Sequence, residues 1–123
     1  MNGIKYLFDT NALISFFKGN PSLAFLTSAP VGISIISVLE FLSFSGINEP
    51  AKTLLFDFLT KIKVFELKKD NTQLIDTISG LRIQYKIKLP DAIIAGTAIY
   101  NNAILITNDN GLSKIPLLQI INF

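Results

Sequence analysis

Ile4-Lys5-Tyr6-Leu7-Phe8-Asp9-Thr10-Asn11 reads as a strand running straight into a helix, and that reading decides the fold. The apolar run stops at a carboxylate. Thr10 and Asn11 follow, and short polar side chains of this kind cap helices by accepting hydrogen bonds from the unpaired N–H groups of the first turn. Leu13, Phe16 and Phe17 then share one helical face. A strand followed at once by a helix is the repeating unit of an α/β domain.

Outward from that stretch the alternation continues. Gly19-Asn20-Pro21 ends the first helix, a short helix is expected over Ser22 to Thr27, and Val31 to Ile36 is a second buried strand. Ser37 is read as opening a helix through about Phe44, with Ser37-x-x-Glu40 as a capping box. After Gly46 to Pro50 another helix runs to Ile62 with Leu54, Leu55, Phe58 and Leu59 inward, and Lys63 to Leu67 is a third strand. Asp70 is expected to cap a helix carrying Leu74, Ile78, Leu81 and Tyr85, and Pro90-Asp91 starts one that ends near Asn101. Ala103 to Ile106 and Leu117 to Ile121 supply strands four and five. Strands that are apolar throughout belong to parallel sheets covered on both faces. The expected fold is therefore a single domain spanning residues 1–123, a three-layer α/β/α sandwich around a five-stranded parallel sheet.

Composition narrows the chemistry. The 123 residues contain no His and no Cys, which excludes a Ser-His-Asp or Cys-His arrangement, a Cys/His zinc site and haem or iron–sulfur ligation. Carboxylates, hydroxyls, amides, lysines and tyrosines remain. Mean hydropathy is high at +0.48. Yet Ala92 to Ile106 is interrupted by Thr97 and Asn101-Asn102, short of the ~18 apolar residues a spanning helix requires. Met1 to Phe8 lacks the shape of a secretory signal, so no membrane association and a cytoplasmic location are expected. The net charge of +2 permits a nucleic-acid partner without requiring one.

Four acids fall at one edge of such a sheet. Asp9 and Asp109 follow strands one and four where they leave the sheet, Glu40 lies in the helix leaving strand two, and Asp91 opens a helix that begins at the same edge. Ligands bind at that edge in open α/β sheets. Each acid also has a local use: Glu40 in a capping box, Asp91 at a helix start, Asp109 before the Asn110-Gly111 turn, Asp9 in a turn. Caps and turns do not need to share a pocket, however, and gathered carboxylates repel unless cations or protons neutralise them. An all-oxygen set selects a hard ion, Mg²⁺ or Mn²⁺, held by few carboxylates together with water and substrate phosphate. The reaction class that follows is metal-assisted phosphodiester hydrolysis. Asn11, Thr107 and Asn108 lie beside the acids, where they either orient water or phosphate or serve as caps and turn formers.

These residues resemble the PIN-domain ribonucleases, and within them the toxin subunits of VapBC type. Phe8-Asp9-Thr10-Asn11, Ser37-x-x-Glu40, Leu89-Pro90-Asp91-Ala92-Ile93-Ile94-Ala95 and Thr107-Asn108-Asp109 are similar to that family's four motifs in order, and the resemblance covers essentially the whole chain. It implies a strand order of 3-2-1-4-5, with Asp9, Glu40, Asp91 and Asp109 as metal-binding acids and Asn11 and Thr107 in support. It further implies Mg²⁺- or Mn²⁺-dependent cleavage of RNA, inhibition by a cognate antitoxin, and a homodimer. One departure is that many relatives carry another acid and an aromatic where this chain reads Asn110-Gly111-Leu112.

The helix from Ser37 to Phe44 is apolar almost all round, and Phe56 lies off the inward stripe of its own helix. A core buried on several sides and an interface each account for this. Lys61, Lys63, Lys68 and Lys69 form one basic cluster and Arg82, Lys86 and Lys88 another, as solvated faces or phosphate tracks. Two rival classes share the architecture. One is a phospho-acceptor receiver module with an acidic Mg²⁺ pocket, and the other is a PIN fold serving as an idle assembly subunit.

Overall fold

The computed structural model describes residues 3–44 and 46–123. In chain order the elements are β1 (Tyr6–Phe8), α1 (Thr10–Phe17), a 3₁₀ segment (Pro21–Ser28), β2 (Val31–Ser34), α2 (Ile35–Leu42), α3 (Glu49–Leu59), β3 (Lys63–Phe65), α4 (Thr72–Tyr85), α5 (Leu89–Tyr100), β4 (Ile104–Ile106), a 3₁₀ turn (Asn110–Leu112) and β5 (Ile120–Ile121). The strands form one sheet in the order β3-β2-β1-β4-β5, and every neighbouring pair is parallel. The chain winds from β1 outward to β3, then crosses back to β4. The topological switch therefore lies between β1 and β4. This order removes the receiver alternative, because that doubly wound sheet runs 2-1-3-4-5.

Period-two alternation of short apolar strands divides the core between two faces. Phe8, Ile33 and Ile106 turn to one side, where they pack with Ala12 and Leu13 of α1, Val38 and Phe41 of α2, and Leu55 of α3. Leu7, Leu105 and Phe65 turn to the other, against Leu81 of α4 and Ile94, Ala95 and Ala98 of α5. Two glycines permit close approach. A Cβ on Gly32 in β2 would lie 2.5 Å from a ring carbon of Phe65, and one on Gly96 would lie 2.7 Å from Cγ1 of Ile78, where α5 presses on α4. The second contact fixes the position of α5, and with it Asp91.

Several expected boundaries move, each for an identifiable reason. Helix α2 begins at Ile35, earlier than the Ser37 reading. Its cap is Ser34, whose hydroxyl accepts the Ile36 N–H at 3.1 Å. The ladder to β3 ends at Ser34, and Ile35 and Ile36, strand-formers by preference, instead pack against the core, partly buried, from a helix. No Ser37 capping box forms, and Glu40 stands in the second turn, not the first. Likewise Asp9, not Thr10 or Asn11, caps α1, and Asn71, not Asp70, caps α4. Leu54 is 48% exposed, on the outer side of α3 together with Phe56. β5 comprises Ile120–Ile121 alone; Leu117 lies outside the sheet and is 78% exposed.

Candidate active site

The four acids arrive from four segments at one cleft. Asp9 leaves β1 at the switch point, and its extended backbone turns the carboxylate back onto α1, where Oδ1 accepts the Ala12 N–H at 2.7 Å. Asp109 follows β4, and its Oδ1 accepts the Gly111 N–H at 2.9 Å. Asp91 sits in the first turn of α5 behind Pro90. Glu40 lies on α2, where helical side chains lean toward the N-terminal end and so back toward the sheet edge. All four line a cavity of about 470 Å³, together with Thr10, Asn11, Ser43, Phe44 and Ile94.

Two hydroxyls tie these acids together. Thr10 is buried at the start of α1 and donates its hydroxyl to Oε1 of Glu40 at 2.6 Å. Thr107 is fully buried; its hydroxyl accepts the Asp109 N–H at 3.0 Å and on its other side favours the charged form of the Asp9 carboxyl. One side chain thus spans the switch point. Burial pushes the Asp9 carboxyl above the ordinary value of 3.8, the bonds from Thr107 and Ala12 oppose this, and the charges of Asp109 and Asp91 add to it. Asp91 is raised as well, first by burial and then by Asp109 and Glu40, with Lys88 opposing. The ion pairs among the described residues are Lys52–Glu49, Lys61–Asp57 and Lys68–Glu66, so none involves a cleft acid. Among the described residues the cleft lining carries four acids and no Lys or Arg.

The supporting residues separate. Asn11 is exposed at the cleft wall, and Thr107 lies beneath it. Asn108 does not line the cleft, because both ends of its amide are engaged with the backbone of Phe123. Thr10 has only a capping role in the sequence, and its hold on Glu40 emerges from the fold alone. A bond to a residue thirty positions away leaves no local trace. Among the described residues no group of three or more acids is drawn together tightly enough to hold an ion alone. The donors are all oxygen and face an open cleft, an arrangement suited to a hard divalent ion that keeps its waters and takes further ligands from a phosphate.

A parallel sheet of this order, with acids on both sides of its switch point and two more on the flanking helices, defines the class. The chain belongs to the PIN domain family, whose model matches residues 6–118. Among solved structures it is similar to a chain of a toxin-antitoxin complex from Klebsiella pneumoniae, with a TM-score of 0.76 and 29% identity over 95% of this chain and 96% of that one. It shares its fold with a chain of DNA-bound VapBC from Salmonella typhimurium (TM-score 0.79, 21% identity, 97% and 98% covered). The same holds for VapBC-1 from nontypeable Haemophilus influenzae (TM-score 0.74, 23% identity, 97% and 98% covered). No curated protein matches the chain.

Proposed function

We propose that this protein is the toxin of a VapBC-type toxin–antitoxin pair and an endoribonuclease dependent on Mg²⁺ or Mn²⁺. The observation that carries the reading is the cleft itself: Asp9, Glu40, Asp91 and Asp109 meet at the sheet's switch point in a chain without His or Cys. Asp9, Glu40, Asp91 and Asp109 would hold the ion. When bound, such an ion polarises a phosphoryl oxygen and lowers the pKa of a coordinated water. The chain's own residues do the rest. The Ala12 N–H holds the Asp9 carboxylate, Thr107 holds the Asp109 backbone, Thr10 holds Glu40, and Asn11 stands at the wall where a phosphate or its water would be oriented by hydrogen bonding. Burial first, and the charges of neighbouring acids second, raise the proton affinity of Asp9 and Asp91, a penalty on their ionised forms that a bound divalent cation would relieve.

A cognate antitoxin is supported by the similar Klebsiella pneumoniae structure, which is described as a toxin–antitoxin complex. It is also supported by an apolar groove of about 510 Å³ lined by Ile14, Phe41, Phe44 and Ile47, which shares Asn11 and Phe44 with the cleft. The exposed Leu54 and Phe56 on α3 suit a homodimer face. No helix among the described residues is long and apolar enough to cross a membrane, and cytoplasmic RNA is the substrate we assign.

The test is cleavage of single-stranded and structured RNAs by pure protein with Mn²⁺, Mg²⁺ or EDTA, beside Asp91→Asn purified identically. Cutting that requires both the ion and Asp91 is the expected result. Measurable Mn²⁺ binding with no cutting of any RNA would favour the idle assembly subunit instead.

A further inference from the structure

Past Ile106 the β4–β5 ladder continues for one more backbone step, the Thr107 N–H donating to the Ile121 carbonyl at 3.0 Å. Beyond it, side chains take over. Asn108 accepts the Phe123 N–H at 2.7 Å and donates its amide to the Phe123 main-chain oxygen, imitating the backbone that a longer strand would present. Asn122 reaches the opposite way and donates to the Thr107 carbonyl at 2.8 Å. Residues 121–123 thereby grip residues 107 and 108 through both backbone and side-chain bonds.

The gripped residues are the ones that organise the cleft. The Thr107 hydroxyl accepts the Asp109 N–H at 3.0 Å, and the Asp9 N–H donates to the carbonyl of the adjoining Ile106 at 3.2 Å, so any drift of Thr107 shifts Asp109 against Asp9. Backbone pairing alone holds this loop poorly, since β5 is confined to Ile120–Ile121 and pairs with β4 alone. Asn108 and Asn122 are both exposed, where hydrogen bonds contribute little net stability. Their consequence is geometric.

We infer that the Asn108–Phe123 and Asn122–Thr107 contacts form a clamp that sets the spacing of Asp9 and Asp109 for divalent-cation binding, which makes Asn108 and Asn122 positioning residues that never touch substrate. The inference rests on the metal-nuclease reading above. Partners that orient metal ligands typically cost about 10- to 100-fold in affinity when removed. These asparagines act one bond further out, so a loss of about fivefold to tenfold is expected.

The experiment is Mn²⁺ binding to the intact chain, read from the free-ion signal in electron paramagnetic resonance, for Asn122→Ala, Asn108→Ala, Asp9→Asn and Asn20→Ala. Asn20 caps the 3₁₀ segment at the end of α1 away from Asp9, so its variant controls for the loss of an ordinary hydrogen bond. The expected pattern is weaker Mn²⁺ binding in both clamp variants, unchanged binding in Asn20→Ala, and a KM for RNA within about twofold of the parent while kcat at limiting Mn²⁺ falls. Thermal midpoints confirm that each variant is folded, and the two asparagines cut different arms of the clamp, so one suffices if the other fails to fold. Parent-like Mn²⁺ binding in the clamp variants, with Asp9→Asn impaired, overturns the clamp alone. Equal weakening in Asn20→Ala also overturns the clamp. Parent-like binding in Asp9→Asn overturns the metal reading itself and the inference with it.

Discussion

Replacing Thr10 by Val removes one oxygen and almost nothing else. The two side chains are nearly isosteric, Thr10 is 8% exposed, and its methyl group keeps its packing. What disappears is the 2.6 Å bond to Oε1 of Glu40, the one hydrogen bond the structure gives that carboxylate among the described residues. A hydrogen bond to an ionised group is worth about 1.5–3 kcal/mol. Glu40 is only half-buried, so water replaces part of this, and the lower end applies. At about 1.36 kcal/mol per decade, a loss of about 1.5 kcal/mol is about tenfold in kcat/KM. Thr10→Ser keeps the hydroxyl and gives up the methyl. It should retain activity to within about threefold while losing about 1 kcal/mol of stability to the small void. The assay is initial-rate RNA cleavage at saturating Mn²⁺, with urea denaturation of all three proteins. If Thr10→Val cleaves as fast as the parent, or Thr10→Ser is the more impaired, Thr10 does not orient Glu40 through its hydroxyl.

Two further outcomes follow from burial and charge. Because Asp9 and Asp91 are raised above 3.8, the folded chain binds their protons more tightly than the unfolded chain does. Their unfavourable contribution is absent below that value and develops as pH rises through the window above it, so stability is lost as they ionise. Asp9→Asn and Asp91→Asn should therefore raise the thermal midpoint of metal-free protein at about pH 7 and leave it nearly unchanged near about pH 3. Calorimetry at the two pH values decides the matter, with a neutral-pH loss in both variants counting against it. Separately, the Ser37 hydroxyl is fully buried without a partner among the described residues. Ser37→Ala removes that orphan and substitutes a better helix former, so a gain of about 1 kcal/mol in denaturant unfolding is expected; a loss would mean the hydroxyl has a partner in solution.

Much of this architecture can be read from the chain because strand and helix periodicities are strong and the four acids stand where strands end or helices begin. The misplaced boundaries share one cause. At Asp9-Thr10-Asn11, at Ser34 and Ser37, and at Asp70-Asn71, several residues able to cap a helix lie close together, and local preference does not rank them. The ladder decides, since the helix starts where strand pairing stops, as the Ser34–Phe65 register shows for α2. Sequence places Asn108 beside the acids as a supporting residue, but its partner lies fifteen residues downstream. An asparagine after a strand looks the same whether it shapes a turn or grips a distant backbone. Leu54 faces inward on a helical wheel, yet α3 packs through Leu55, Phe58 and Leu59 and leaves Leu54 exposed.

If the proposed function holds, the double duty of Asp9 bears on how such a protein would escape its own activity under selection. Its carboxylate closes the first turn of α1 and also faces the cleft, so most substitutions there disturb the helix as well as the cleft. Asparagine is the exception: it caps about as well, and a single base transition reaches it from either aspartate codon. On the proposed toxin reading, a harmful gene could therefore be silenced in one mutational step while its product still folds and keeps its surfaces. Lineages that have shed the activity would be expected to carry intact, inert copies more often than broken ones.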